Sequence, residues 1–349
     1  MIHAIHRETD GNMNGHCTAK AFQNPDLRKK GIFFLEYIKE LQQYTDTIPS
    51  VVTLGKFDGV HEGHHLLMDE VLRCGREDGL KTIVFTFDVS PQKRLGMSHT
   101  KSLMTNRERF LCLEEMGLDT LIECPFTKEI QTMEAETFVR EILLEKLHAA
   151  VIVVGDDFRF GRGRAGDAYF LRKMAEKYYD EVNAFTVHVI GKKKDLQSGR
   201  EISSTWIREE LLEGNVEAAN KLLGRPYFLL GEVVHGRQLG RTLQIPTINQ
   251  IPPSEKLLPP KGVYFSRTQI GKQQWDGITN IGTKPTVEGD QVTAETHLFD
   301  CSDDLYGKEA RVELIHFHRP EQKFGSVEEL KEQMEADINA AHDFLTVKL

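Results

Sequence analysis

The sequence predicts an α/β domain built on a doubly wound parallel sheet, followed by an antiparallel β-barrel that ends in a helix. Three observations predict it. The first half alternates short apolar runs with stretches of helical period. After about residue 225 the texture changes to short runs broken by Gly, Pro and Asp turns. The length, 349 residues, suits two domains at roughly 100–200 residues each.

The apolar runs of the first half lie at 51–54, 82–87, 120–124, 151–154 and 185–190. They are β-branched and continuous rather than alternating, as expected of strands buried on both faces of a parallel sheet. Between them, 65–77, 106–115, 134–147 and 167–178 carry helical spacing, so the unit is βαβ. Upstream, residues 1–30 are polar and aperiodic and read as a poorly ordered tail. An apolar pattern resumes over 32–43. In the second half, runs at 228–235, 262–269, 275–280, 292–299 and 310–317 have no helix between them, which reads as a small antiparallel barrel or sandwich. A last amphipathic helix over 326–344 opens at SVEE, with Ser326 as N-cap and Glu329 at N3. The expected division is an extension over 1–47, a first domain over 48–224 and a second over 225–349, with the junction at Gly224–Pro226.

Composition narrows the functional classes. Apolar residues make up 40% and charged residues 28%, ordinary for a soluble globular chain. No run reaches the ~20 apolar residues of a bilayer span, and the N-terminus lacks the layout of a secretory signal. Five scattered cysteines without a CxxC argue against a disulfide framework or thiolate zinc site and fit a reducing cytoplasm. A net charge of −9 argues against nucleic-acid binding. The expected setting is cytoplasmic, with no nucleic-acid or membrane partner and nothing that fixes an oligomeric state.

In open α/β sheets, ligands bind beyond the carboxyl ends of the strands, so the segments after each run carry the argument. VVTLGKFDGVHEGHH, residues 51–65, is a strand, a turn with Asp58 and Gly59, and two histidines, His61 and His64, at i, i+3. A helix start near Gly63 would put both imidazoles beside exposed backbone N–H groups, an arrangement suited to polyphosphate. HEGHH also matches the zinc-protease pattern HExxH with Glu62 as base. That chemistry needs a mid-helix motif and a third ligand, and here the motif follows a strand and turn.

The second segment, VVGDDFRFGRGRAGD at 153–167, contains GxGxxG at Gly161, Gly163 and Gly166, but too far past the strand for a dinucleotide fingerprint. With Arg162 and Arg164 interleaved, it reads as a mobile basic loop over phosphates. The third, ISSTWIREELLEG at 202–214, places Ser203, Ser204 and Thr205 at a helix start and Arg208 one turn further in. Charge-assisted contacts from such an arginine are worth roughly 1.5–3 kcal/mol each. Each segment alone is compatible with a solvated turn or a capped helix; the three together are not so easily dismissed.

GxFDGxHxGH, GxDFxFGxxRxGD and SSTxIR, in this order on a βα sheet, resemble the adenylyltransferase module of bacterial bifunctional riboflavin kinase/FMN adenylyltransferases, of the wider nucleotidyltransferase superfamily. The resemblance implies a Rossmann-like fold and direct attack of the FMN phosphate on the α-phosphorus of ATP, with positioning and charge stabilisation supplying the rate. It implies that Gly55, Asp58, His61 and His64 line the ATP site, with the histidines catalytic. Ser203, Ser204, Thr205 and Arg208 would hold the phosphates, and Asp157, Phe158 and Phe160 would face the flavin. TFDVSP at 86–91 departs from the family, which often has a second Pro-flanked histidine there.

In the second half, LGRTLQIPTIN spans 239–249. Pro246 would bend the chain and leave Thr247 and Asn249 as neutral oxygen ligands, two apart, of the kind Mg²⁺ accepts beside substrate phosphates. No GxxxxGK[ST] loop occurs, so a kinase here is not of the P-loop kind. Glu295, in the run 292–299, could act as a general base from a barrel mouth. IPTIN, LPPKGVY, NIGTKPTV, AETHLFD, LYG and FHRPEQKF resemble the riboflavin kinase module of the same family. By that resemblance Thr247 and Asn249 bind Mg²⁺ and ATP, Gly240, Arg241 and Thr242 cradle ATP phosphates, and Glu295 deprotonates the riboflavin 5′-hydroxyl. Gln244 stands where the family has Gly, and Cys301 where it has an aromatic residue.

The expected function is therefore bifunctional: riboflavin to FMN in the barrel, then FMN to FAD in the α/β module, both with ATP and Mg²⁺. The rivals are a protein with one working module, a flavin-binding regulator on the same scaffold, and a zinc peptidase.

Overall fold

A computed structural model describes residues 34–89, 94, 96, 100–178, 184–235, 245–286 and 289–347. The expected tail over 1–30 and the candidate phosphate cradle Gly240, Arg241 and Thr242, with Gln244, lie outside these residues, as does Ser90.

The first half forms a six-stranded parallel sheet in the order β1-β4-β3-β2-β5-β8. Its strands are β1 (Glu36–Ile38), β2 (Ser50–Leu54), β3 (Lys81–Phe87), β4 (Thr120–Cys124), β5 (Ala149–Gly155) and β8 (Thr186–Ile190). Every residue of β2 and β4 is buried, which is why their sequences run apolar without alternation. Helix α1 (Glu62–Glu77) follows β2, α2 (Asn106–Glu115) follows β3, and α3 (Phe138–Lys146) precedes β5. From β2 the chain steps outward through β3 to β4, then returns to the other side of β2 with β5. The reversal of strand order therefore falls between the carboxyl ends of β2 and β5.

Two departures from the sequence reading bear on the sheet itself. Residues 36–38, inside the expected extension, add an edge strand beside β4; three residues are too few to show a period. The helix expected over 134–147 is a short turn (Ala135–Thr137) followed by a π-helix, α3, in which the Leu147 N–H donates to the Ile142 carbonyl. The wider turn brings the adjacent pairs Phe138–Val139 and Leu143–Leu144 to the core together.

Beyond β5 lies a two-stranded hairpin, β6 (Arg159–Phe160) with β7 (Gly166–Asp167), and then α4 (Ala168–Lys177), capped by Asp167. Helices α5 (Ser204–Glu213) and α6 (Val216–Leu223) lead into the second half. There the order is β10-β13-β12-β11-β14-β9, all antiparallel. The strands are β9 (Tyr227–Glu232), β10 (Thr247–Gln250), β11 (Gly262–Ile270), β12 (Gln273–Thr286), β13 (Gly289–Leu298) and β14 (Glu309–Pro320). The Val234 N–H, just past β9, donates to the Asn249 carbonyl of β10 at 2.8 Å, an isolated bridge between the two edges of this curved sheet. Strand β10 is short and follows Pro246, so no alternation announces it. Helix α7 (Val327–Val347) lays Ala341 and Leu345 against Val263, Phe265 and Ile278. The Ser326 hydroxyl accepts from the Glu329 N–H as expected, but the Glu329 carboxylate caps Gly325 rather than Ser326 itself.

The two halves share core. Phe228 of β9 packs with Val51, Met68 and Leu113, while Leu103 and Ile202 pack with Tyr264 and Leu314 of the barrel.

Candidate active sites

The first candidate site sits at the reversal point. Past β2 the chain crosses a tight turn in which Phe57, Gly59 and Val60 all have positive φ, at 46°, 96° and 40°. Gly59 adopts such a backbone freely, whereas a β-branched valine there is strained. Arg225, from the start of the barrel half, donates to the carbonyls of Gly59 at 2.6 Å and Val60 at 2.8 Å, and so holds the turn from outside.

His61 is the N-cap of α1, not a mid-helix residue. Its Nδ1 accepts from the Gly63 N–H at 3.1 Å, and His64 Nδ1 accepts from the His61 N–H at 3.3 Å. The rings stack with centroids 3.7 Å apart. Burial, helped by the neighbouring His65, pushes His61 down to about 4; burial, then the charge on His61, pushes His64 well below the usual imidazole range. Both are therefore neutral at neutral pH. With Nδ1 accepting in each, the proton is assigned to Nε2, giving two paired N–H donors.

That geometry also disposes of the zinc-protease pattern. Glu62 pairs with Lys193 and His65, and His61 spends Nδ1 on the helix cap. Among the described residues, the group of three potential ligand side chains that lies close together is Glu70, Cys74 and His188, not the HExxH residues.

The third motif converges on the first. The position a Cβ would take on Gly63 is 3.5 Å from the Ile202 carbonyl. Ser203 caps α5 through the Trp206 N–H, and the Ser204 hydroxyl donates to the Asp58 carbonyl at 2.8 Å. Thr205 is exposed beside them. Arg208 forms an ion pair with the buried Asp58 carboxylate and donates through Nε to the Lys101 carbonyl at 3.1 Å. Gly55 closes β2, its N–H bonded to the Phe85 carbonyl at 3.2 Å. Two helix N-termini, two neutral imidazoles and one arginine thus share the mouth of the sheet.

The middle motif is a loop, as its distance from the strand implies. GxGxxG does not open a helix; it forms the β6–β7 hairpin and its turn. Arg162 pairs with Glu134 at 2.8 Å and Arg159 approaches Asp167 at 4.0 Å, both pairs reached by solvent, and Arg164 is exposed in the turn between the two strands. Phe160 is buried among Phe138, Phe170 and the α/β core, with Phe158 stacked on it at 5.5 Å. Asp157 is exposed and pairs with Lys192 at 3.3 Å. Of the three residues expected to face a flavin, Asp157 and Phe158 reach the surface, and Phe160 is the wall behind them.

The second candidate site is in the barrel. Asn249 of β10 lies opposite Glu295 of β13, and Thr247 opposite His297. Thr247, Asn280, Glu295 and Phe324 line a cavity of about 290 Å³, closed by Leu330 and Met334 of α7. A second cavity of about 230 Å³, lined by Pro246, Thr247, Cys301 and Tyr306, meets it at Thr247. The Lys284 ammonium forms an ion pair with Glu295 and donates to Asn249 Oδ1 at 3.2 Å. His297 Nδ1 bonds the Pro246 carbonyl at 2.8 Å, pinning the turn ahead of Thr247. Lys284 and His297 lie inside the motifs NIGTKPTV and AETHLFD, but only strand register brings them to Glu295 and Thr247. Thr247, Asn249 and Glu295 offer hard oxygens, a set suited to Mg²⁺, and Lys284 already places positive charge among them.

Comparisons with known proteins match a different family model to each half of the chain. The family model for FAD synthetase matches residues 43–205 and that for riboflavin kinase matches 223–345. The bifunctional riboflavin kinase/FMN adenylyltransferase of Escherichia coli K12 is 36% identical over 296 residues, covering 84% of this chain and 92% of that protein. Its counterpart in Haemophilus influenzae is 34% identical over 295 residues, covering 84% and 93%. A crystal structure described as a macrolide-efflux protein from Streptococcus pneumoniae superposes with a TM-score of 0.75 at 32% identity, covering 86% of this chain and 96% of that one. Among the described residues no helix is long and apolar enough to cross a membrane.

Proposed function

The chain belongs to the bifunctional riboflavin kinase/FMN adenylyltransferase family and has both activities, and from that premise we propose which residues run each reaction. The division of labour falls near residue 224, with FMN adenylylation before it and riboflavin phosphorylation after it.

In the first centre the FMN phosphate is already anionic and needs no base. One of its oxygens attacks the α-phosphorus of ATP as the bond to the β-phosphate oxygen breaks and pyrophosphate leaves. His61 and His64 donate Nε2–H bonds to the phosphate oxygens on which charge grows, and their neutrality is retained through the step. The α5 N-terminus, with Ser203, Ser204 and Thr205, and the Arg208 guanidinium hold the departing pyrophosphate. Gly55 and Asp58 shape the nucleotide side, and Asp157 and Phe158 the flavin side. The convergence of the α1 and α5 N-termini on one mouth is the observation that supports this reading.

In the second centre Glu295 takes the proton of the riboflavin 5′-hydroxyl while that oxygen attacks the γ-phosphorus and ADP leaves. The apolar lining from Val263, Ile278, Phe324 and Met334 suits a flavin ring, and the adjoining cavity suits the nucleotide. Thr247 and Asn249 would hold Mg²⁺, which would supply charge neutralisation to the ATP phosphates. The register that sets Asn249 against Glu295 carries this assignment. Such a cofactor pathway is expected to operate in the cytoplasm.

The experiment is incubation of the purified protein with riboflavin, ATP and Mg²⁺, with chromatographic separation of the flavins. FMN and then FAD should accumulate, and addition of EDTA should stop both. FMN formation that persists in EDTA would remove the metal role of Thr247 and Asn249.

A further inference from the structure

A short segment ahead of α2, residues 101–105, touches both halves of the protein. On the barrel side, the Ser102 N–H donates to the Glu255 carbonyl at 2.8 Å and the Leu257 N–H donates to the Ser102 carbonyl at 2.7 Å. Between those two bonds sits Lys256, 2% exposed as a residue, with its ammonium inside the domain boundary. That ammonium donates to the Leu103 carbonyl at 2.9 Å, the Phe228 carbonyl at 2.9 Å and the Glu108 carboxylate at 2.6 Å, so all three of its protons are used. Glu108, 1% exposed, also accepts from the Thr105 N–H at 2.8 Å, as part of the α2 cap, and from the Leu230 N–H of β9 at 3.1 Å.

On the other side, the same segment reaches the adenylyltransferase centre. The Leu103 N–H donates to Asp58 Oδ1 at 2.9 Å, and the Lys101 carbonyl accepts from Arg208 Nε at 3.1 Å. Leu103 is thus held by its carbonyl from the barrel while its N–H holds Asp58. A fully buried ion pair contributes little net stability compared with apolar packing, but its directional bonds fix geometry.

We propose that Lys256, a residue of the kinase half, is a positioning residue for FMN adenylylation: it holds segment 101–105 in the place from which Leu103 and Lys101 set Asp58 and Arg208 for ATP. The kinase half in this way completes the adenylyltransferase centre. The proposal rests on the assignment of Asp58 and Arg208 to ATP binding.

The test uses the full-length protein and steady-state kinetics of each reaction, alongside thermal unfolding. Lys256→Met should raise the KM for ATP in FMN adenylylation by about tenfold with a smaller change in kcat. The KM for ATP in riboflavin phosphorylation should stay near wild type. Lys256→Arg, which keeps the charge and donors, should recover most of the loss. Lys256→Met combined with Glu108→Leu leaves no unpaired buried charge and serves where the single variant fails to fold; it should also show the raised KM. An unchanged adenylylation KM in that folded double variant, or parallel decline of both reactions, would overturn the proposal. Arg208→Ala separates the two layers. If it leaves adenylylation unchanged, the ATP-site assignment itself falls. If it impairs adenylylation while the Lys256 variants do not, only the positioning role falls.

Discussion

Lys284 forms an ion pair with Glu295, which lines the barrel cavity, and the same ammonium donates to Asn249 Oδ1 at 3.2 Å. A lysine therefore occupies ground between the proposed base and a proposed metal ligand. A divalent cation approaching Asn249 meets that charge and has to displace it. Lys284→Met is expected to strengthen Mn²⁺ binding measured by electron paramagnetic resonance without nucleotide, on the order of fivefold for a partly solvated charge. Conversion of FMN to FAD should be untouched. Equal Mn²⁺ affinity in both proteins would mean that the ammonium and the metal occupy different positions.

The pairing of Asn249 with Glu295 across β10 and β13 makes the carboxylate specific to one reaction. Glu295→Gln keeps the shape and removes the proton acceptor. FMN formation should fall by about 10²–10⁴-fold, the usual range for a lost general base. FAD formation from supplied FMN should remain near wild type. Loss of both would contradict separate centres.

His61 carries a pH signature. Its imidazole is pushed from 6.5 down to about 4, chiefly by burial, so the folded state binds fewer protons than the unfolded chain between those values. Stability contributed by the neutral ring is complete above the unfolded value and is lost as pH falls through that window, by at most about 3 kcal/mol. His61→Asn keeps an N-cap acceptor without a titrating group. Urea midpoints of the variant should decline less than those of wild type on acidification over the same window. Parallel decline would show that the ring titrates alike in both states.

Where local chemistry decides structure, the sequence was readable. The buried strands β2 to β5, the helix over residues 106–115 and the capping serines at 203 and 326 follow from residue type and spacing, and the structure has them. Elements fixed by distant partners were not readable. Strand β1 is three residues long and takes its place from β4, and β10 is defined by its register with β13. The same holds in the sites. His61 and His64 announce themselves by spacing, whereas Arg225 clamps the turn at Gly59 and Val60 from 166 and 165 residues away. The family resemblance places Phe160 toward the flavin; the burial that makes it a wall depends on Phe138 and Phe170, which the motif does not contain.

That wall yields a further prediction. Gly161 turns the β6–β7 hairpin at φ 72°, and a Cβ there would lie 2.8 Å from Ala135 Cα, a backbone atom that cannot swing aside. Gly161→Ala combines left-handed backbone strain with this clash, at a cost of about 1–3 kcal/mol. The hairpin must shift, and Phe160 with it, taking away the support on which Phe158 stacks. The KM for FMN in adenylylation should rise several-fold, while the KM for ATP in the same reaction and the kinase constants hold, because the histidines and Arg208 stand on other elements. A variant with an unaltered KM for FMN and a lowered melting temperature would show that the hairpin braces the core and leaves flavin binding to other residues.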